Sequence, residues 1–387
     1  MDHDLPDRLR DLRDTAERVA SETIGPKADE IDRSAAWPAH AMRALAGAGL
    51  MGLVAPRTAG GEEQGMLGLL AVTEAIGRSC ASTAMCYGMH CVGTAVIAAK
   101  ATPYQRRHYL EPIAAGRHVT SLALSESGPG SNFYVTETSL RREGDIYVVD
   151  GTKQFVTSGG RADSYVVSTI ASDPDARAGE FSCLIVDAEQ LADAWLEPWD
   201  GFGMRGNSSR GVRLERVRVA RQNLLGEEGD QDWYVFEIVT PYFLAAMSAT
   251  YLGIARAALD LTTEHLRTRH FSHSGETLAA LPVLQQELAD MWAAVQTSRG
   301  FVYDAARRAD AGQADALPWI FMTKALAAET VVSVTNRAMT LCGGSAYRQN
   351  SRLARLLRDA RASHVMAPTS HILRQWTGRA LLGMPLL

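Results

Sequence analysis

The feature that most constrains this fold is a change of sequence texture, from helical to β and back to helical. Residues 1 to about 118 carry apolar side chains at helical spacing. Between about 119 and 222, short β-branched runs bounded by turn residues replace that spacing, and from about 230 the helical period returns. This order predicts an α+β protein with an N-terminal helical domain, a middle antiparallel β-barrel or sandwich and a C-terminal four-helix bundle. We place these domains at 1–118, 119–225 and 226–387.

The composition excludes several classes of protein. With 46% hydrophobic and 21% charged residues, the chain has an ordinary globular balance. Proteins that bind a phosphate backbone usually carry an excess of positive charge, whereas this chain has a formal net charge of -5. We therefore expect no nucleic-acid partner. No stretch approaches the ~18 consecutive apolar residues that span a bilayer. The first residues also lack the charge and apolar run of a secretory signal. We therefore expect a cytoplasmic protein without a membrane partner.

Neither the cysteines nor the histidines form a metal-ligand pattern. The five cysteines are scattered without a Cys-x-x-Cys pair, which is typical of reduced, mostly buried thiols. His270 and His273 are close enough in sequence to share a helical face, but no third ligand accompanies them. We predict no metal site.

Four segments carry motifs, in a definite order along the chain. Residues 121–132 contain the turn Gly-Pro-Gly-Ser, whose backbone N–H groups can approach a phosphate closely. Residues 151–157 read Gly-Thr-Lys-Gln-Phe-Val-Thr, and a segment ending in Val-Arg-Val occupies 203–219. Cys-Gly-Gly-Ser-Ala-Tyr at 342–347 precedes Leu-Leu-Arg-Asp-Ala-Arg at 356–361. A glycine-rich turn taken alone is often only a turn, whereas the ordered set is far more specific.

Together these motifs resemble those of the acyl-CoA dehydrogenase superfamily over most of the chain. The resemblance implies an FAD-dependent oxidoreductase, with FAD between the β-domain and the C-terminal bundle. It also implies a homo-oligomer, either a dimer or a tetramer built as a dimer of dimers, since closed symmetric assemblies are the usual outcome for such interfaces.

The resemblance assigns flavin contacts to the β-domain. Leu124 and Ser125 match the residues along the pyrimidine edge of the flavin, and Ser131 matches one near the pyrophosphate. Phe155 stands where the family often has a Trp against the benzenoid side, although a buried strand aromatic is the alternative interpretation. Thr157 matches the residue whose hydroxyl bonds flavin N5.

The adenine side of the FAD site departs further from the family. Gly343 and Gly344 match the paired glycines that approach the adenine end from a neighbouring subunit, and Thr369 matches a C-terminal Thr near the cofactor. The family's Arg-x-x-Phe-Gly survives only as a remnant that includes Arg269, and Thr340 replaces the usual Gln before the glycines. The resemblance still implies FAD.

The residues expected for proton abstraction are missing. An acyl-CoA dehydrogenase needs a base for the α-proton while the flavin takes the β-hydride. Ala367 occupies the position of the usual catalytic Glu, and Phe243 occupies the alternative position used by some members. Pro241 and Leu244 stand where an Asp and an Arg commonly hold CoA. CoA recognition is therefore open, and a carrier-protein thioester stays an alternative.

A histidine could replace the missing base. His90 lies on the helix that in this family borders the acyl pocket, and an imidazole titrates near neutrality. Its alternative role is structural, bonded to backbone. His371, four residues beyond the vacant Glu position, is the weaker candidate.

Three functional hypotheses follow. The first is an FAD-dependent enzyme that desaturates an acyl thioester with a non-standard base, using an electron-transfer flavoprotein or oxygen as acceptor. The second is a flavin-dependent monooxygenase or lyase-type relative, for which no α-proton need be removed. The third is a non-catalytic partner subunit. Retention of Ser125, Phe155 and Thr157 argues against the third, because a scaffold has no need of a flavin-facing hydroxyl.

Overall fold

The computed structural model describes residues 5–173, 175 and 180–386. Within this part of the chain the N-terminal region is helical. Its helices are α1, Asp7–Val19; α2, Ala28–Ser34; α3, Ala39–Gly47; α4, Met66–Gly77; α5, Ala81–Ala99; α6, Pro103–Gln105; and α7, Glu111–Ala114. Helices α4 and α5 are buried on nearly all sides, because later elements cover the faces that a surface helix would expose.

The middle region consists of two four-stranded sheets. Its strands are β1, Thr120–Ala123; β2, Ser139–Glu143; β3, Ile146–Val156; β4, Ser164–Ile170; β5, Phe181–Asp187; β6, Trp195–Pro198; β7, Arg210–Ala220; and β8, Leu224–Leu225. The sheet orders are β1-β4-β5-β8 and β2-β3-β7-β6, and β1 pairs with β4 in parallel. The predicted sandwich is confirmed, whereas the barrel alternative is wrong because neither sheet closes. The antiparallel prediction fails only at the β1–β4 pair.

Alternating side chains of the two sheets form one core. Residues of β3 and β7 on one sheet meet residues of β4 and β5 on the other, and the inward members include Tyr147, Val149, Tyr165, Val167, Leu184 and Val212. Since strand side chains alternate between faces, this pattern buries one face of each sheet and leaves the other for helices or solvent.

The C-terminal region is a helical bundle. Its helices are α8, Gln231–Trp233; α9, Thr240–Thr268; α10, Pro282–Asp310; α11, Ala316–Ala346; α12, Arg352–Val365; and α13, Ser370–Leu381. Three apolar residues at helical spacing on α10 are fully buried: Met291, Val295 and Val302. Two helices are long and apolar enough to span a membrane by composition, but 83% and 56% of their apolar windows are buried in this fold. Both are therefore accounted for as core helices.

A loop between β6 and β7 joins the three regions. The backbone N–H of Met204 donates to Asp359 Oδ1 on α12 at 2.6 Å, and that of Gly206 donates to Ser82 Oγ on α5 at 3.2 Å. A Cβ at Gly203 would collide with the backbone of α12. The glycine is thus required by close approach, and the loop fixes the separation between sheets and helices.

Candidate active site

A cavity of about 590 Å³ lies where the three regions meet. Helix α5 supplies Met85 and Met89, and the middle region supplies a wall that includes Leu124 and Thr157. Helices α9 and α12, with the segment after α12, form the opposite wall. The cavity is mostly apolar, and its few polar groups lie at the edge.

The structure brings the predicted flavin contacts of the β-domain together. All five line the cavity: Leu124, Ser125, Ser131, Phe155 and Thr157. The motif at 121–132 contacts the motif at 151–157 directly, because the Gln154 N–H donates to the Ser125 carbonyl at 2.8 Å. One wall of the cavity thus combines a hydroxyl-rich edge with an aromatic side chain.

Phe155 reaches the cavity through an irregularity in β3. The β3–β7 register shifts between Lys153 and Val156, and Phe155 has a φ of 53°, a value that bulky residues rarely adopt. The ring is therefore 59% exposed and lies edge-on to Trp199, with centroids 5.5 Å apart. The alternative of a buried strand aromatic is wrong. Backbone strain of this kind is typical of functional sites.

A buried ion pair that sequence reasoning missed supports this wall. Lys153 Nζ lies 2.5 Å from Glu126 Oε1, and Glu126 also accepts hydrogen bonds from Thr136 and Thr138. Lys153 donates further to Ser168 Oγ at 2.9 Å. The pair ties the glycine-rich turn to the centre of the sheets. Lys153, a charged residue within the strand β3, was the available signal.

Both members of this pair are ionised at neutral pH. Burial raises the pKa of Glu126, but Lys153 and the hydroxyl donors outweigh it and bring the pKa to about 2. Burial lowers the pKa of Lys153 to about 8, with Glu126 opposing that shift. Glu126 also lines the cavity, yet its carboxylate is committed to the pair and is a poor general base.

The two vacant base positions both face the cavity. Ala367 and Phe243 line it as the resemblance implied, and neither offers a titratable group. Among the described lining residues, Glu126 is the single carboxylate and no histidine occurs. The remaining charged residues of the lining are Arg358 and Arg361. The wall opposite the flavin contacts therefore has no ordinary proton acceptor.

The structure does not support His90 as the replacement base. His90 is 0% exposed, its Nε2 bonds the Met51 carbonyl at 3.0 Å, and its Nδ1 accepts from the Thr120 N–H at 3.2 Å. Burial lowers its pKa to about 4. Met89 lines the cavity, but the next residue of a helix is rotated away by more than a quarter turn. His371 is exposed on α13 and lies outside the lining.

The predicted adenine contacts lie apart from the cavity in a single chain. Arg269 is exposed at the end of α9, and Gly343 and Gly344 are exposed where α11 kinks, with Gly343 at a φ of 57°. Thr369 caps α13 through a hydrogen bond from the Ile372 N–H at 3.5 Å. Their contact with a neighbour's cofactor stays a prediction.

Comparison with known proteins decides the family. Models of acyl-CoA dehydrogenases match in three parts: the N-terminal domain at residues 6–117, the middle domain at 121–217 and the C-terminal domain at 244–382. The chain belongs to the acyl-CoA dehydrogenase family. Its predicted fold class, its FAD cofactor and its activity as an oxidoreductase acting on acyl thioesters are thereby confirmed. Neither the oxygenase or lyase hypothesis nor the non-catalytic subunit is favoured.

Individual relatives match over nearly the whole chain. It is 32% identical to cyclohex-1-ene-1-carbonyl-CoA dehydrogenase of Geobacter metallireducens, covering 95% of this chain and 96% of the relative. It is 30% identical to mitochondrial 2-methylacyl-CoA dehydrogenase of Solanum tuberosum, covering 97% and 91%. The structure of butyryl-CoA dehydrogenase from Megasphaera elsdenii has a TM-score of 0.91 at 24% identity, covering 99% and 100%, which shows a shared fold.

The acyl-CoA dehydrogenase site of this chain fits a flavin on one wall. An exposed aromatic pair, the Ser125 and Thr157 hydroxyls and the turn before Ser131 provide a flat apolar surface with polar groups at its edge. Bound FAD supplies the hydride-accepting chemistry. These residues would hold the ring along this wall, and the apolar side chains would exclude water from that side of the cavity.

Proposed function

We propose that this acyl-CoA dehydrogenase oxidises a short branched or cyclic acyl thioester. The observation that supports this is the apolar half of the cavity, which is bounded by bulky side chains: Met85, Met89, Phe133, Val239 and Phe243. Such a boundary favours a compact acyl group over a long straight chain. Relatives named for cyclohex-1-ene-1-carbonyl-CoA and for 2-methylacyl-CoA point to the same class.

We further propose that solvent accepts the α-proton. Glu126 is held by Lys153, His90 is buried elsewhere, and Ala367 and Phe243 cannot accept a proton. Water is a weak base, so a substrate with an acidified Cα–H suits this cavity best. Transfer to neutral water would be independent of pH, so the expected solvent acceptor is hydroxide. The rate of flavin reduction should then keep rising with pH, whereas a carboxylate base would give a plateau above its pKa.

A panel experiment tests the substrate class. The FAD-loaded protein is mixed without oxygen with cyclohex-1-ene-1-carbonyl-CoA, 2-methylbutyryl-CoA, isovaleryl-CoA, butyryl-CoA and octanoyl-CoA, and flavin bleaching is followed. The branched and cyclic thioesters should react fastest. A preference for octanoyl-CoA would contradict the proposed class, and bleaching by none of them would contradict the proposed substrates altogether.

We propose an electron-transfer flavoprotein as the electron acceptor, in line with the family resemblance. The flavin-side wall carries exposed aromatic residues, Trp199 at 52% and Phe202 at 65%, that a partner could cover. Reoxidation of the reduced protein should be fast with an electron-transfer flavoprotein and slow in air. Fast reoxidation by air alone would contradict this acceptor.

We also propose a homo-oligomer. Large apolar side chains are exposed on the C-terminal helices, including Val283 at 60%, Trp292 at 58% and Leu381 at 72%. The exposed Gly343 and Gly344 lie in the same region of the chain. A dimer or tetramer by light scattering is expected, and a 41.9 kDa particle with FAD bound would contradict it.

We also propose that the protein is cytoplasmic. All five cysteines are buried and unpaired, as expected for a reducing compartment. Cell fractionation should recover the protein with cytoplasmic markers.

A further inference from the structure

One lysine is wholly buried behind the wall that carries the vacant base position. Lys324 lies in the first third of α11, and it is 0% exposed. Its Nζ donates to the carbonyl oxygens of Ser363 at 3.2 Å, Met366 at 2.9 Å and Pro368 at 2.9 Å. In the described part of the chain no carboxylate pairs with it, and burial disfavours its charged form.

The three carbonyls explain how this charge is held. Helix α12 ends at Val365, so Ser363 lies in the last turn, where carbonyl groups lack partners within the helix and carry partial negative charge. Met366 and Pro368 belong to the short link before α13. An ammonium group has three donors, and all three are used here.

The segment so held is the cavity wall. Met366, Ala367 and Pro368 all line the cavity, and Phe243 on α9 lines it as well. Among the described residues, the link makes no other hydrogen bond to α11. Displacement of a wall by about 1 Å is enough to alter substrate positioning strongly. A side chain that never touches the ligand can therefore control how the ligand fits.

We propose that Lys324 is a positioning residue for substrate binding, whose ammonium fixes the Met366–Pro368 wall against the acyl thioester. This inference rests on the proposed function for its ligand, but the geometry of the wall can be measured without turnover. The substrate specificity of this side of the cavity then depends on Lys324, which lies on α11 behind the wall.

The role depends on the charge of the lysine. Burial lowers the pKa of Lys324 to about 7, while the three carbonyls favour the charged form. Above that pKa the neutral amine has one donor fewer, so one carbonyl loses its partner. One titratable side chain contacts the link: the Tyr251 hydroxyl on α9 donates to Met366 Sδ at 3.4 Å. Burial raises the pKa of Tyr251, so it stays neutral throughout.

Steady-state kinetics of the FAD-loaded Lys324→Met protein test the proposal. KM for the best thioester of the panel should rise about tenfold or more while kcat changes less, because the wall positions the ligand. Wild-type KM should also rise as pH increases from about 6 to about 9, and this rise should vanish in Lys324→Met. Arg374→Ala is the matched control, since it removes the Arg374–Glu329 ion pair between α13 and α11 at an exposed site. Its KM should stay at the wild-type value.

Hydrogen exchange gives a readout independent of turnover. Peptides that cover residues 363–370 should exchange faster in Lys324→Met than in wild type, with no such change in Arg374→Ala. If Lys324→Met does not fold, Lys324→Gln and the wild-type pH dependence of KM take its place. Unchanged exchange together with unchanged KM would overturn the role of Lys324. Faster exchange in a protein that oxidises no thioester would support the role and overturn the proposed function instead.

Discussion

The cavity wall built by the β-domain and the wall built by the C-terminal helices use their polar groups differently. The first presents Ser125, Ser131 and Thr157 to the cavity, and its lining carboxylate, Glu126, is neutralised by the buried Lys153. The second presents Phe243 and Ala367, and it is held from behind by Lys324, which donates to backbone carbonyls instead of a carboxylate. The wall predicted to face the flavin thus carries hydroxyl groups at the cavity surface, whereas the opposite wall has no titratable group at the two predicted base positions.

The largest effect should come from breaking the charge pair behind the flavin-facing wall. Lys153→Met leaves the Glu126 carboxylate buried without its partner, and the free energy of unfolding should fall by about 3–5 kcal/mol in urea titrations. FAD content should fall with it. Removing the exposed Arg141–Glu143 pair by Arg141→Ala should barely change stability. Equal effects of the two variants would show that the wall does not depend on this pair.

The same pair predicts sensitivity to acid. The folded pKa of Glu126, about 2, lies below its usual value of 4.5, so its contribution is fully present above about pH 4.5 and is lost as pH falls towards 2. The loss should amount to about 3 kcal/mol, measured as unfolding free energy against pH. Glu126→Gln should lack that part of the slope. An identical slope in both proteins would mean that other carboxylates govern acid unfolding.

Restoring a carboxylate to the opposite wall should raise activity. Ala367→Glu places a base where the family has one, and the rate of acyl-CoA oxidation should rise about 10²-fold, as expected for a general base. Pro368 restricts the backbone of the residue before it, which limits the gain. Ala367→Gln controls for size without charge. A matching increase in that control would assign the effect to shape rather than to proton transfer.

His90, which is buried on α5 outside the cavity lining, offers a smaller test. His90→Leu leaves the Met51 carbonyl and the Thr120 N–H unpaired, which should reduce stability by about 1–3 kcal/mol in denaturant titrations. The kcat of the folded enzyme should not change, because the imidazole does not line the cavity. A 10²-fold loss of kcat at full FAD occupancy would restore the hypothesis that His90 is the base.

The smallest effect concerns the aromatic pair of the flavin-facing wall. Phe155→Ala removes the edge-on contact with Trp199 and should weaken FAD binding by about 1 kcal/mol, roughly fivefold in Kd. Phe202 is another exposed aromatic residue of the cavity, and no other aromatic ring of the described residues packs against it. Phe202→Ala should therefore weaken FAD binding less. Fluorescence titration of the apoprotein with FAD measures both. Equal weakening would indicate general apolar contact instead of the specific pair.

What the sequence determined lies in short, contiguous segments. The order of helical and β regions was readable, and so was the set of five predicted flavin contacts between Leu124 and Thr157 that line one cavity, because period and motif are local properties of the chain. The same local reading identified Phe243 and Ala367 as vacant base positions. It could not orient His90, since neighbouring residues of one helix face different surroundings.

The tertiary structure alone decided which distant residues meet. Glu126 and Lys153 are 27 residues apart, and Lys324 reaches carbonyls 39 to 44 residues further along the chain. No periodicity records such pairings, because they arise when sheets and helices pack and the buried charges must find partners. The open sandwich was likewise settled by strand pairing, with β1 parallel to β4. Local sequence thus fixed the types of element and motif, and long-range packing fixed the electrostatics of the two walls.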